Sequence, residues 1–409
     1  MAAEQISTRC CVVGGGPCGL MLSFLLARAG VDVVVLEKHA NFLRDFRGDT
    51  IHPSTLELMH ELGLLDEFLK LPHQKAMTIG AVFANHQYAF ADFTHLPTRC
   101  KFVALMPQWD FLNFLAERGK VYPCFHLRMQ AEATDLIEEG GRVAGVRADT
   151  LAGPIEIRAG LIVGCDGRHS TVRERAGLPV EEIGAPMDVL WFRLPRKAGD
   201  AEEVMGRFEA GRIVVLLNRG DYWQCAFVIR KGRFEEQRHA GLPAFRANVA
   251  STVPALADRV DDLKDWDQIK LLTVAVNRLE RWHRGGLLCI GDAAHAMSPI
   301  GGVGVNLAVQ DAVAAANILW QPLRTAILSE DDLAKVQKRR ELPTRLMQRL
   351  QVIIQNNVIE RLLTAEGPLP PPLPLRLVSR FAWLRRIPAR IIGLGFRPEH
   401  VHTPEIRTS

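Results

Sequence analysis

Gly14, Gly16 and Gly19 make the spacing GxGxxG, and Glu37 closes the apolar run that follows. Each position has a chemical use. Gly14 permits a tight turn, Gly16 lets bare backbone approach a pyrophosphate, and Gly19 allows a helix to pack closely on a strand. Pro17 and Cys18 lie inside that turn, where a helix N-terminus would offer free N–H groups and partial positive charge to phosphate oxygens. Glu37 can accept hydrogen bonds from an adenosine ribose, and Lys38 beside it joins the same candidate set. The carboxylate repels a ribose phosphate, so FAD or NAD suits the position better than NADP. Glycines in this spacing also occur in purely structural turns. The ordered series of strand, glycines, helix, strand and terminal acid is what points to a dinucleotide.

A second chemical run is Gly291-Asp292-Ala293-Ala294-His295-Ala296-Met297-Ser298-Pro299-Ile300-Gly301-Gly302-Val303-Gly304-Val305-Asn306. Asp292, at the end of a buried strand, can accept a hydrogen bond from a ribityl hydroxyl. Pro299, Gly302 and Gly304 bring bare backbone close to a flat ring. The N–H groups of Val305 and Asn306, opening a helix, would face the carbonyl edge of that ring and favour the negative charge it gains on reduction. His295 is either a satisfied turn histidine or a catalytic one, and no role is assigned to it. A third run, Cys165-Asp166-Gly167-Arg168-His169-Ser170-Thr171-Val172-Arg173, reads alone as an ordinary turn after a strand.

The elements that must hold these residues are readable from periodicity. Arg9 to Gly14 is a strand, Leu20 to Ala27 a buried helix and Val31 to Leu36 a second strand, so the unit is βαβ with parallel strands and a right-handed connection. A helix follows Ser54, with Glu57 completing a capping box. Ala133 to Ile137 and Arg142 to Arg147 flank Gly140-Gly141 as a hairpin, Ile155 to Val163 adds a strand, and together they make an antiparallel meander. Val189 to Leu194, Arg212 to Leu217 and Tyr222 to Arg230 read as a second, sheet-rich unit. Leu287 to Ile290 and an Ala-rich helix from Val305 to Trp320 return to the first. The proline run from Gly367 to Pro372 is an extended connector, and Leu375 to Leu394 reads as one amphipathic helix bearing arginines.

Bulk properties narrow the function classes. The 409 residues can house two interlocked domains, and 50 basic against 46 acidic residues, nearly balanced and spread along the sequence, leave a net charge of +4, so nucleic acid is not an expected partner. Eight scattered cysteines lack metal-ligand spacing and read as reduced thiols, and no metal is expected. No signal pattern opens the chain and no uncharged run approaches a membrane span, so a cytoplasmic protein is expected.

The glycine fingerprint, the Asp166-Gly167 run and the Gly291-Asp292 run together resemble the class A flavoprotein monooxygenases, typified by para-hydroxybenzoate hydroxylase, over most of the chain. The resemblance implies one noncovalent FAD and a transient NADPH or NADH without a dedicated domain of its own. Reduced flavin would then react with O2 to give a hydroperoxide that passes one oxygen atom to an apolar organic substrate, aromatic or polycyclic. It also implies FAD contacts from Arg47 and Gln108, and an indirect contact of the Asp166 run with the pyrophosphate. The fold expected is α/β: a Rossmann-like FAD-binding domain of parallel sheet plus β-meander, an interleaved sheet-rich substrate domain and a helical C-terminus. Residues 1–75, 101–180 and 278–365 form the first, 76–100 and 181–277 the second, and 366–409 the tail.

Phe83, Phe90, Phe93, Trp191, Phe192, Trp223 and Phe227 are candidates to wall the cavity or plain core residues. Only three tyrosines are present, Tyr88, Tyr122 and Tyr222, and nothing marks two of them as the type member's phenol-deprotonating pair. No thioredoxin-like extra domain of the phenol hydroxylase branch is expected. The tail either covers the core or touches a membrane surface. Two rivals stand beside the oxygenase: an FAD-dependent reductase of the geranylgeranyl reductase type, and a flavin-binding, membrane-associated partner module. Hydroxylation, epoxidation and Baeyer–Villiger insertion stay open, as does monomer against homodimer.

Overall fold

The computed structural model describes residues 4–43, 50–83, 86–200, 205–367 and 369–406. Its first sheet is built around Glu4–Val13, which pairs in parallel with Val33–Glu37 on one side and Gly153–Gly164 on the other. Phe125–Met129 extends it beyond Val33–Glu37, and Leu287–Cys289 beyond Gly153–Gly164, both in parallel. All five residues of Val33–Glu37 are buried, as a parallel strand covered on both faces requires. Helix Pro17–Arg28 packs against the long helix Gly304–Thr325 and against Gln108–Gly119. It begins at Pro17 rather than Leu20 because proline, which has no N–H, fits the first helical position. The long helix runs past Trp320 through Pro322 and ends where Ala326 turns left-handed at φ 58°. Although it is long and apolar enough to cross a membrane, 78% of its most apolar stretch is buried inside the protein.

The meander forms on the free half of Gly153–Gly164: Arg142–Thr150 and Ala131–Glu139 add antiparallel strands. Gly140 and Gly141, at φ 56° and 78°, supply the left-handed pair that a two-residue hairpin turn needs.

The second sheet has seven strands, in the order Lys270–Leu272, Met187–Pro195, Tyr222–Arg230, Arg212–Asn218, Met205–Glu209, Thr78–Phe83 and His86–Asp92. Thr78–Phe83 comes from the early chain, yet pairs in parallel with Met205–Glu209. Side chains alternate across this sheet. Leu190, Phe192, Leu194, Trp223 and Phe227 form a closed core with Phe245 of helix Leu242–Thr252. Each such fully buried large side chain contributes about 1.5–3 kcal/mol. Val189 and Trp191 point to the opposite face, which meets Ile300 of the Gly291–Asn306 run.

That alternation sorts the aromatic candidates. Phe192, Trp223 and Phe227 are core, Phe83 stacks on Phe208 at 4.8 Å, and Phe93 is buried with Ala389 and Leu394. Phe90 and Trp191 alone among the seven stay partly exposed on the side facing the cofactor motifs and the tail.

Two local expectations are corrected. The helix near Ser54 is Pro53–Glu61, capped by His52 without a side-chain bond. Proline takes the first helical position there, and the Glu57 carboxylate accepts the Arg99 N–H at 2.8 Å instead of closing a capping box. The tail is two helices, Leu373–Arg380 and Arg386–Leu394, because the chain turns extended at Phe381, where φ is −111° and ψ 103°.

Candidate cofactor site

The three sequence motifs meet at the ends of the parallel strands. Gly14 leaves its strand at φ 107°, and a Cβ there would lie 2.4 Å from the Cys165 carbonyl oxygen and 2.9 Å from the Asp166 Cα. A Cβ on Gly19 would lie 1.9 Å from the Gly14 carbonyl oxygen, so the helix can approach the turn only as glycine. A Cβ on Gly291 would touch the Cys18 side chain at 3.2 Å. Gly14, Cys18, Gly19, Asp166 and Gly291 therefore form one packed floor.

Above this floor the chain is open. Gly16 caps helix Pro17–Arg28 with no side-chain bond, no acidic residue stands in the first turn, and a Cβ on Gly16 would meet nothing within 4 Å among the described residues. A helix N-terminus left bare in this way suits an anionic group. Helix Gly304–Thr325 begins in the same manner at Gly304, again without a side-chain cap, an acidic first turn or a neighbour within 4 Å of an added Cβ. Asp292, next to Gly291 of the floor in the turn Gly291–Ala293, is half-buried, and its carboxylate makes no hydrogen bond or ion pair among the described residues. The pieces fit a dinucleotide: two bare helix starts, a glycine turn and an acceptor without a partner.

Glu37 is buried and holds the turn itself. Its Oε2 accepts the Gly15 N–H at 3.1 Å, its Oε1 the His39 N–H at 2.9 Å. Lys38 is exposed and faces Glu132 at 3.5 Å. Gln108 opens helix Gln108–Gly119, half-buried. Arg47 lies outside the described residues.

The Asp166 carboxylate is turned into its own loop: Oδ1 accepts Ser170 Oγ–H and Oδ2 the Val172 N–H at 3.1 Å. Burial raises this carboxyl above its ordinary value, against the pull of those donors. Ser170 in turn caps helix Thr171–Arg175, and Arg173 donates to the carbonyl oxygens of Arg168 at 2.7 Å and Ala293 at 3.2 Å. One arginine thus ties the second motif to the third.

The Pro299–Asn306 loop is gripped from both sides. The Asn306 side chain accepts the His52 N–H at 2.9 Å and the Thr55 hydroxyl at 2.7 Å, and Thr50 Oγ–H reaches the Gly302 carbonyl at 3.0 Å. From helix Glu330–Ile354, Gln351 Nε2 donates to the carbonyls of Ser298 and Ile300, both at 2.9 Å, while Gln348 Nε2 donates to Asn277 at 2.8 Å and Ala296 at 3.0 Å. His52 is fully buried, its Nδ1 2.7 Å from the Ile392 carbonyl, which requires the proton on Nδ1. Desolvation lowers its pKa to about 4, so the ring is neutral.

Beneath the loop runs a buried ionic chain. Asp311 accepts the Gly291 N–H at 3.1 Å and faces His295 Nε2 at 2.6 Å through Oδ2, and takes Arg340 Nε at 2.9 Å through Oδ1. Arg340 continues to Glu399 at 3.0 Å, which also receives Arg339. Asp311, Arg340, Gln348, Gln351 and His52 were not singled out in the sequence. The one available signal was Asp311, a lone acid inside the largely apolar run from Leu307 to Ala316; Arg340, Gln348 and Gln351 sit among the many charged residues of helix Glu330–Ile354 and carry no such mark.

A family model described as FAD binding domain matches residues 7–349. The chain is 35% identical to the 6-methylpretetramide 4-monooxygenase of Streptomyces rimosus over 355 residues, 86% of this chain and 84% of that one. It is 29% identical to the rifampicin monooxygenase of Rhodococcus hoagii over 338 residues, spanning 76% of this chain and 62% of that longer relative. Among solved structures, PqsL of Pseudomonas aeruginosa, a probable FAD-dependent monooxygenase, superposes with a TM-score of 0.74 at 21% identity, covering 88% of this chain and 98% of its own. OxyS anhydrotetracycline hydroxylase of Streptomyces rimosus gives 0.73 at 23% identity, covering 95% and 76%. At these identities the two structures establish the fold.

Proposed function

The chain belongs to the FAD binding domain family of class A flavin monooxygenases, and on that premise we propose that it takes electrons from NADPH or NADH and hydroxylates a fused-ring aromatic substrate with O2. The observation that carries the reading is the open cradle over the packed floor of Gly14, Cys18, Asp166 and Gly291. Relatives named for a pretetramide and for rifampicin support the substrate class. When bound, FAD supplies electron transfer and oxygen activation.

The chain's own residues bind, orient and exclude water. Gly16 and the first turn after it would take the pyrophosphate, Glu37 the ribose, and Asp292 a ribityl hydroxyl. The bare start of helix Gly304–Thr325 would favour negative charge on the ring edge it faces. Gln351, Asn306 and Thr50 hold the Pro299–Gly304 loop in place by bonding its backbone and its flanks. Trp191, with Val215 and Phe90, presents an apolar wall toward Ile300, a surface suited to an aromatic ring. A reductase that consumes no oxygen is disfavoured, since these relatives are named monooxygenases.

The test is anaerobic mixing of FAD-loaded protein with NADPH and then NADH, with and without 6-methylpretetramide, followed by turnover under labelled dioxygen. Substrate-accelerated bleaching and one labelled oxygen atom in the product are expected. Flavin that neither cofactor reduces, or an unlabelled product, would overturn the proposal.

A further inference from the structure

At the end of the chain a row of apolar side chains is turned away from the protein. Leu373, Leu377 and Phe381 follow at four-residue intervals along Leu373–Arg380 and its exit, and Trp383 and Ile387 repeat the interval into Arg386–Leu394. All five are exposed, Leu373 by 64% and Trp383 by 63%. The inner sides of the same helices are accounted for: Leu375 packs with Ile300 and Trp191, and Ala389 and Leu394 pack with Phe93. Folding explains the inner row and leaves the outer one without a partner among the described residues.

The outer row is lined with positive charge. Arg376, Arg380 and Arg386 immediately precede Leu377, Phe381 and Ile387, and Arg390 lies one turn beyond Arg386. All four arginines are exposed and in no ion pair among the described residues. From Gly367 to Pro398 the sequence holds six arginines and no lysine, aspartate or glutamate.

We infer that this face docks on an anionic phospholipid bilayer. Exposed leucine, isoleucine, phenylalanine and tryptophan on two short helices and the turn that joins them suit insertion to the depth of the headgroups, where aromatic rings settle. Arginine stems beside them cover apolar surface while their guanidinium ends reach lipid phosphates. A second copy of the chain is the weaker occupant, because a two-fold axis through this face would set arginines against arginines with no carboxylate to separate them. Leu375 shares its cluster with Trp191 and Ile300, so docking would bring the apolar wall of the proposed substrate site close to the phase in which fused-ring aromatics collect. The inference does not depend on which reaction the flavin supports.

The experiment is co-sedimentation of the full, flavin-loaded chain with vesicles of phosphatidylcholine alone and of equal phosphatidylcholine and phosphatidylglycerol. Partition onto the anionic vesicles should exceed that onto neutral ones by about tenfold or more and fall as salt rises. Arg386→Glu with Arg390→Glu should remove that preference, and Phe381→Ser with Trp383→Ser should weaken binding to both vesicle types. Flavin content and thermal midpoint should hold in both variants, since the side chains are exposed. Equal partition onto the two vesicle types, or none, would overturn the inference. So would a dimer, seen by sedimentation velocity, that Phe381→Ser with Trp383→Ser dissociates.

Discussion

His295 Nε2 stands 2.6 Å from Asp311 Oδ2, with His295 exposed by 1% and Asp311 by 0%. Sealed from solvent, this histidine braces the aspartate that also holds the Gly291 N–H and Arg340. Burial alone would raise the Asp311 carboxyl, but His295 and Arg340 together outweigh it and hold the group below the usual carboxylate range.

Asp311→Asn should therefore act on the fold and the cofactor turn together. It removes a buried charge from between His295 and Arg340 and leaves Glu399 as the carboxylate partner of Arg340. A loss of roughly 3–5 kcal/mol in chemical unfolding is expected, accompanied by weaker FAD retention. An unchanged unfolding midpoint would contradict the role of the network.

His52 predicts a pH effect of definite sign. Its folded pKa, about 4, lies below its unfolded value of 6.5, so the stability it contributes is complete above pH 6.5 and drains away as pH falls toward 4. Between pH 7 and pH 5 the loss should be about 2 kcal/mol. His52→Asn, which keeps a donor for the Ile392 carbonyl, should flatten that slope in urea unfolding. Asp311 does not enter this window, because its contribution is lost only at more acid pH, below the ordinary aspartate range.

Two glycines of the candidate set should respond in opposite ways. Gly16 sits in extended backbone at φ −78° with open space about it, so Gly16→Val should leave the apoprotein within about 0.5 kcal/mol of wild type. FAD affinity should nevertheless fall tenfold or more, about 1.4 kcal/mol or greater. Gly302 sits at φ 63°, and an added Cβ would lie 2.7 Å from Thr50 Oγ1. Gly302→Ala should cost the apoprotein about 1–2 kcal/mol. Calorimetry with and without FAD separates the two.

Asp292→Ala should weaken FAD retention and leave the thermal midpoint of the apoprotein in place, since the carboxylate has no partner among the described residues. A variant that keeps full flavin content after gel filtration and dialysis would remove Asp292 from the site.

Local order made much of the fold legible before any coordinates. The strand, glycine turn and helix around Gly14 to Gly19 are dictated by residues adjacent in sequence, and so is the Gly140-Gly141 hairpin. Relations across long separations were not. Asp311 and Arg340 belong to different helices, and Glu399 reaches Arg340 from the tail. Gln348 and Gln351 look like solvated helix residues until the loop carbonyls of Ala296, Ser298 and Ile300 are laid beside them. The aromatic residues failed for another reason. Trp191 and Phe192 are neighbours on one strand, so they must face opposite sides, and only pairing to Tyr222–Arg230 tells which side meets the cofactor motifs.

The pairing of Thr78–Phe83 with Met205–Glu209 bears on how such a protein can be altered. The second sheet is assembled from two separate stretches of gene, with strands of the first sheet encoded between and around them. Neither sheet can be excised as a contiguous fragment. Exchanging the substrate-facing wall for that of a relative would require both stretches to be transplanted together, because a single crossover would leave a parallel strand pair with mismatched partners. Recombination at one point should yield mostly insoluble chimeras, whereas point substitutions on the Trp191 face leave the weave intact.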